Sequence, residues 1–317
     1  MFDKPTELWM VLLRISLAAV VVLAAALAFV SLCLIKSNNN AKLLKKQFDS
    51  AIEANSRRTG FFSSMVHELK MPLSIILGAA QLIEMKRKSE RQDENGMEKH
   101  IAAIKCNCYR MMRLTGNLLD LARSEAGYLV LKPVNCDLCR LLEEIVRSVR
   151  PYAMKKQIGL VFRSAHDSIV AAVDIEKMER IMLNLLSNAI KFTDPGGSVI
   201  VSAYSADGRV FISVKDTGVG IPPDRQNDIF GLYSQAGIHS AEKEGSGIGL
   251  YLVKAFAELH HGNVRLISEE GKGSEFIVDL PSGTVTSSPE VSDAGEFGIK
   301  AGDAVSIEFS GGHSVLS

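Results

Sequence analysis

The sequence predicts a multidomain chain. It has an N-terminal transmembrane helix, an antiparallel helical hairpin that forms a dimeric four-helix bundle, and then an α/β sandwich domain. Three observations carry this expectation. Residues 15–35 hold no charge. Two stretches with apolar residues at alternating spacings of four and three flank a polar loop. From about residue 136 the pattern changes to alternating strand and helix signals. The 317 residues divide into segments 1–14, 15–35, 36–58, 59–128, 136–283 and 284–317. Apolar residues make up 47% of the chain, enough to fill a sizeable core, and 36 basic residues balance 36 acidic ones. Zero net charge argues against nucleic acid as the main partner, which would favour a basic face.

The run from Ile15 to Ile35 contains only two serines among apolar side chains. At about 1.5 Å rise per residue, some 20 residues cover the roughly 30 Å of a bilayer's hydrocarbon. The run ends in Leu32-Cys33-Leu34-Ile35-Lys36, a poor cleavage site for a signal peptide. Lys36, Lys42, Lys45 and Lys46 follow the span, against Lys4 and Arg14 before it. The positive-inside rule therefore places the C-terminal bulk in the cytoplasm of a single-pass plasma-membrane protein in contact with lipid. The segment before the span is too short for a folded extracellular sensor. Cys33, Cys106, Cys108, Cys136 and Cys139 suit reduced thiols in that compartment. Cys106 and Cys108 lie two apart in a helical pattern, so they face opposite ways and do not readily share a metal.

Residues 36–60 are polar, with a broken heptad through Leu44, Phe48, Ala51, Asn55, Arg58, Phe62, Met65 and Leu69. Asn55 and Arg58 weaken the seam, and a coiled coil and a solvated helix both fit it. The seam continues through Leu73, Ile76 and Ile83. After the polar stretch Lys86–Gly96, a second heptad runs through Ile101, Ile104, Cys108, Met111, Thr115, Leu118 and Ala122. One hairpin cannot bury both stripes, but two can, so a homodimer is expected. Gly127 and Pro133 end the second helix.

Farther on, residues 198–204 and 209–214 are rich in β-branched and aromatic residues, and Asp207-Gly208 between them is a hairpin turn signal. Residues 263–268 and 275–280 form another such pair. Helices are expected over 174–192, with Asp174 as N-cap, and over 249–261. This predicts a helix layer on a largely antiparallel sheet. After Pro281 the chain turns rich in Ser and Gly, with no period, and is expected to be a disordered tail.

Chemistry concentrates at four places. His67 lies two residues past Met65 and two before Leu69, so it points away from the bundle axis within Ser64-Met-Val-His67-Glu68-Leu-Lys-Met71-Pro72. A neutral imidazole nitrogen is a competent nucleophile. Glu68 can accept a proton or hold the tautomer, and Pro72 frees the carbonyl of Glu68 and bends the helix. Asn184, Asn188 and Lys191 are spaced four and three apart and share one helix face, a different one from the apolar face of Ile175, Met178, Met182, Leu185 and Ala189. Asn carbonyls are hard oxygen ligands suited to Mg²⁺, and Lys191 can meet phosphate charge. Asp216 precedes Gly218 and Gly220, which let backbone approach a ligand closely. Gly245, Gly247 and Gly249 stand just before a helix, where N–H groups and the dipole favour phosphate. Any one of these alone is also compatible with an ordinary surface helix, turn or loop. No Walker-type G-x-x-x-x-G-K-[ST] spacing exists.

In this order on one chain, over roughly residues 60 to 281, the motifs resemble those of the sensor histidine kinases of two-component signalling. The resemblance implies that His67 takes a phosphoryl group from ATP and passes it to an Asp on the receiver domain of a response regulator. It assigns Asn188 to Mg²⁺, with Asn184 lining the same site. Asp216 is placed to accept from the exocyclic amine of adenine, selecting ATP over GTP. Residues 222–244 are expected to be a mobile lid, with Phe230 and Tyr233 as anchors. The family usually has a second Phe where Tyr233 stands. It usually carries Thr or Asn where this chain has Met71. An ATPase or serine kinase of the same ATP fold, or a membrane-anchored dimeric scaffold lacking kinase activity, would be the rival readings. His67 on a dimer hairpin speaks against the first. Intact Asn184, Asn188, Asp216 and five glycines speak against the second.

Overall fold

The computed structural model describes residues 4–88, 94–232 and 247–285, together with Val305 and Phe309. These fall into two compact units that divide at Phe62. The first is the N-terminal part of helix α1 (Lys4–Lys88), which runs as one helix through the expected membrane span, linker and first hairpin helix. In it Leu23, Leu27, Phe29, Leu32 and Leu34 are exposed. So are Leu44 and Phe48 of the expected linker seam. Among the described residues no helix is long and apolar enough to cross a membrane.

The second unit begins at Ser63. Helix α1 continues through Pro72, which is buried, to Lys88, and helix α2 spans Glu94–Glu125. The two helices bury one heptad stripe and leave the other open. Met65, Pro72 and Ala79 are buried on α1, as are Asn107, Leu114 and Leu121 on α2. Of the residues expected in the seam, Met65 is buried and Leu69, Ile76, Ile83, Ile104, Met111 and Leu118 are half-buried. Leu73 and Ile101 are 54% and 41% exposed, and Cys108, Thr115 and Ala122 are exposed as well. A period of seven marks a stripe but not what covers it. Two stripes lie side by side on each helix, and the seam singled out in the sequence draws on both, including the part that a single hairpin leaves open. Gly127, at φ +70°, ends α2 as expected, with Tyr128 N–H donating to Arg123 O at 2.8 Å. This left-handed residue satisfies carbonyls that the last helical turn leaves open.

Strand β1 (Val134–Asp137) leads into helix α3 (Leu138–Lys155), whose N-cap Asp137 accepts from Cys139 N–H at 3.0 Å. Strands β2 (Gly159–Ser164) and β3 (Val170–Val173) precede helix α4 (Ile175–Phe192). Asp174 caps α4 as expected, its Oδ1 accepting from Lys177 N–H at 3.2 Å. Strands β4 (Ser198–Ala206) and β5 (Arg209–Asp216) form the expected hairpin. Asp207 and Gly208 both take positive φ, at +49° and +71°, which the right-handed twist of paired strands demands of a two-residue turn. A short helix α5 (Pro223–Gln226), helix α6 (Gly249–Leu259) and strands β6 (Asn263–Glu269) and β7 (Gly273–Pro281) follow.

The main sheet has the order β2-β4-β5-β7-β6, with β2 parallel to β4 and the other neighbours antiparallel. Strands β1 and β3 form a separate antiparallel pair. Inward-facing Val199, Val201, Val210, Ile212, Val214, Phe276, Val278 and Leu280 alternate along β4, β5 and β7. The buried faces of α3, α4 and α6, with Leu142, Ile145, Met178, Leu185, Leu252 and Phe256, complete the core. Each such side chain contributes about 1.5–3 kcal/mol by leaving water. His260 ties the layer together. Its Nδ1 donates to Phe256 O at 2.7 Å, and its Nε2 accepts from Asp174 N–H at 3.0 Å, joining the end of α6 to the cap of α4.

The expectation of a disordered tail from residue 284 needs correction at its described positions. Val285 exchanges two hydrogen bonds of 2.9 Å with the side chain of Asn135. Val305 is 2% exposed, and the Phe309 ring lies 5.2 Å from that of Tyr152 on α3. Residues 1–3, 89–93, 286–304, 306–308 and 310–317 lie outside the described residues, as does most of the expected lid.

Candidate nucleotide and phosphoacceptor site

Three of the four singled-out clusters meet along helix α4. The amphipathic period of α4 turns its apolar face into the core and leaves Asn188 and Lys191 half-exposed, while Asn184 is 7% exposed. Asn184 Nδ2 donates to Arg180 O at 2.9 Å, which directs Oδ1 towards the first residue of α6. A Cβ on Gly249 would lie 2.7 Å from that oxygen. At the other end of α4, Phe192 O accepts from Val219 N–H at 3.2 Å, and a Cβ on Gly218 would lie 2.4 Å from it. Eight residues separate Asn184 from Phe192, about 12 Å of helix. The trough beside α4 therefore has one glycine cluster at each end, a span suited to a nucleoside triphosphate.

Asp216 closes β5 and is 6% exposed. Its Oδ1 accepts from Gly218 N–H at 2.8 Å and Ser274 N–H at 3.2 Å. Burial pushes the Asp216 carboxyl above the usual carboxylate range, and those two N–H groups pull it partly back. Gly220, at φ +67°, would place a Cβ 2.1 Å from Glu269 O, so both its conformation and its surroundings require glycine. Ile221, just past it, is held twice. Its N–H donates to Ser268 Oγ at 2.9 Å, and its carbonyl accepts from Gln226 Nε2 at 2.8 Å. Gly247 has φ +68° and leads into α6, whose opening N–H groups face no side-chain cap. Gly245 and Tyr233 lie outside the described residues. Phe230 anchors its segment by an edge-on contact with Phe276, ring centres 6.1 Å apart.

The donor set fits a hard cation and phosphates. It comprises the amide oxygens of Asn184 and Asn188, the ammonium of Lys191 and the opening of α6. His67 and Glu68 stand on a different element, α1, with His67 exposed and Glu68 half-buried. His67 is thus open to an external domain. Cys136 and Cys139 are free and buried. Burial, reinforced by the Asp137 and Glu144 carboxylates, pushes the Cys136 thiol up to about 11, so it stays protonated and is a poor metal ligand.

Several residues of the site were not singled out in the sequence. Ser268 and Ser274 support the Asp216 loop through hydrogen bonds from sequence positions far from it, and Gln226 supports it from five residues past Ile221. Gly273 carried a signal. It has φ +96°, and its Cβ would fall 2.1 Å from Asp216 O, so a glycine opening a strand marked a close backbone approach. Arg180, Asn117 and Asp120 carried none. Arg180 Nη1 pairs with Asp120 Oδ2, and Nη2 donates to Asn117 Oδ1 at 3.0 Å.

Comparison with known proteins identifies two matching families. Residues 57–127 match the family described as the His Kinase A (phospho-acceptor) domain. Residues 173–284 match the family described as histidine kinase-, DNA gyrase B- and HSP90-like ATPase. Sensor histidine kinase TmoS of Ectopseudomonas mendocina is 36% identical over 229 residues, covering 72% of this chain and 23% of that protein. Histidine kinase P4 of Formosa agariphila is 32% identical over 235 residues, covering 73% of this chain and 17% of its own. The chain thus spans about a fifth of the length of these relatives. Among solved structures, full-length ShkA in complex with AMPPNP is 29% identical with a TM-score of 0.55, covering 70% of this chain and 46% of that one. Histidine kinase ThkA in complex with response regulator protein TrrA, at 21% identity and a TM-score of 0.50, covers 70% of this chain and 60% of that one and shares the fold.

Proposed function

The chain belongs to the sensor histidine kinases of two-component signalling, and from that premise we propose that it moves the γ-phosphoryl group of Mg-ATP to His67 and then to an aspartate of a response regulator. The convergence of Asn184 with Gly249 and of Phe192 with Gly218 along one helix carries the reading. Asp216 accepts from the adenine amine through Oδ2 while its Oδ1 is held by Gly218 and Ser274. The phosphates lie towards the opening of α6, with Lys191 offsetting their charge. Asn188, with Asn184 beside it, would hold Mg²⁺, which when bound neutralises charge on the phosphate oxygens.

In the first step a His67 ring nitrogen forms the N–P bond, and the bond from the γ-phosphorus to the bridging oxygen breaks. The electron pair leaves with ADP, and Glu68 takes up the proton that the imidazole sheds. In the second step a receiver-domain carboxylate displaces the imidazole, forming an acyl phosphate and freeing His67. Exposure of His67 supports access for both partners.

The open stripe of Leu73, Ile101 and Met112 on α1 and α2 supports a homodimer in which two hairpins cover one another. The uncharged run Ile15–Ile35, its exposed Leu23, Leu27, Phe29, Leu32 and Leu34, and the lysines that follow support a single pass through the plasma membrane with the catalytic part in the cytoplasm. The experiment is incubation of the detergent-solubilised chain with γ-labelled ATP. Acid-labile, base-stable phosphate is expected on wild type, none on His67→Gln, and little on Asn188→Ala. Label retained by His67→Gln would give the acceptor role to another residue.

A further inference from the structure

Two elements that the family match treats as separate domains are joined by a buried polar contact. Asp120 and Asn117 of α2 are 3% and 7% exposed. The Arg180 guanidinium of α4 reaches both, pairing with Asp120 Oδ2 and donating to Asn117 Oδ1 at 3.0 Å. The same guanidinium lies 5.7 Å from the ring centre of Phe256 on α6. One α2 turn farther on, Ser124 Oγ stands 3.5 Å from Tyr251 Oη, also on α6. A planar fork that meets two acceptors fixes orientation as well as distance.

The height of this contact follows from the hairpin's buried stripes. Met65, Pro72 and Ala79 repeat every seven residues on α1, and Asn107, Leu114 and Leu121 do so on α2. Matching the two sets end to end in an antiparallel hairpin pairs Met65 with Leu121, Pro72 with Leu114 and Ala79 with Asn107. That pairing would set His67 level with Leu119, with Asp120 and Asn117 about 1.5 and 3 Å from it along the axis. On α4, Arg180 stands one and two turns before Asn184 and Asn188, about 6 and 12 Å along the helix. In that pairing the contact ties the nucleotide domain to the hairpin at the level of His67.

We propose that Arg180, gripping Asp120 and Asn117, is a positioning residue for autophosphorylation, holding the nucleotide domain at the height at which the γ-phosphoryl group meets His67. The proposal rests on the kinase reading. Phosphoryl transfer depends on in-line placement of donor and acceptor, and a misplacement of about 1 Å costs about 100-fold in rate. Arg180 touches neither reacting atom, so its loss acts on turnover and leaves ATP binding alone. Between the domains, Tyr128 and Val130 are 75% and 69% exposed. This connection is the hinge that swings once the grip is released.

The test compares full-length wild type with Arg180→Gln, Asp120→Asn and the double variant. Each is measured for autophosphorylation kcat, for the KM for ATP, and for chymotryptic cleavage after Tyr128. Each single variant is expected to lower kcat by about 100-fold, leave KM unchanged and speed cleavage. The double variant is expected to be no worse than either single one. Wild-type kcat in the single variants, a raised kcat, a rise in KM matching the loss of kcat, or additive losses in the double variant would each overturn the positioning role. If wild type itself takes up no phosphate on His67, the kinase reading fails separately. The cleavage rate still decides the grip in that case, because unchanged cleavage in Arg180→Gln refutes it.

Discussion

Gly249→Ala separates folding from nucleotide binding. Gly249 opens α6 with ordinary helical φ, so alanine meets no backbone strain there and gains helix propensity worth about 0.5–1 kcal/mol. The same methyl group would sit 2.7 Å from Asn184 Oδ1. Ordinary contact begins at 3.4 Å, about 0.7 Å farther out (3.4 less 2.7), since 3.0–3.4 Å is already tight for a Cβ. Asn184 yields first, being the end of a side chain, and it moves away from the bond it makes to Arg180 O at 2.9 Å. Because Asn184 and the opening of α6 bound the phosphate end of the trough, a shift of that size is expected to lower autophosphorylation kcat/KM by about 10- to 100-fold. By the tenfold-per-1.36 kcal/mol rule this is about 1.4–2.7 kcal/mol of transition-state stabilisation. The thermal midpoint should hold or rise. Gly220→Ala serves as the contrast, because φ +67° and a backbone oxygen 2.1 Å from its Cβ make that change cost stability directly. The assays are calorimetry of both variants and titration with Mg-ATP. Wild-type ATP affinity in Gly249→Ala, or loss of affinity only in step with a fall in midpoint, would refute the reasoning.

Acid should loosen the domain through His260. Burial lowers this imidazole from its ordinary 6.5, and protonation would leave Nε2 unable to accept from Asp174 N–H. The stability tied to the neutral ring is complete above about pH 6.5, where the unfolded ring is neutral too. It is lost as pH falls from there through the lower folded value. The thermal midpoint should therefore drop more steeply between pH 7 and pH 5 in wild type than in His260→Asn, and equal slopes would refute the link. Met71, one turn beyond His67, has a thioether that accepts weakly and donates nothing, so it orients a water poorly. Hydrolysis of a purified phospho-regulator by this chain is expected to be slow and to quicken in Met71→Thr. Fast wild-type hydrolysis with no gain in the variant would refute that.

The sequence by itself determined every feature written in nearest neighbours or in a short period. Asp207-Gly208 specified its turn because both residues tolerate positive φ. Asp174 specified the start of α4 because its side chain reaches an N–H three residues on. The offsets of Asn184, Asn188 and Lys191 specified a shared face because α4 turns every 3.6 residues. Strands β1, β2 and β3 and the parallel pairing of β2 with β4 were not legible, because their partners lie about 35 to 40 residues away in Cα register and a short apolar run does not say which edge it joins.

Burial of one heptad stripe and exposure of its neighbour was likewise decided by tertiary structure. Both stripes share the same period, and only the docking of α2 chooses between them. Contacts between side chains far apart in the chain were the least visible. Asn184 against Gly249, Gly273 against Asp216, and Arg180 against Asp120 each join residues on different elements. No propensity or spacing encodes which polar group will meet which. Burial decides it, because a polar group removed from water must find a partner wherever the fold brings one.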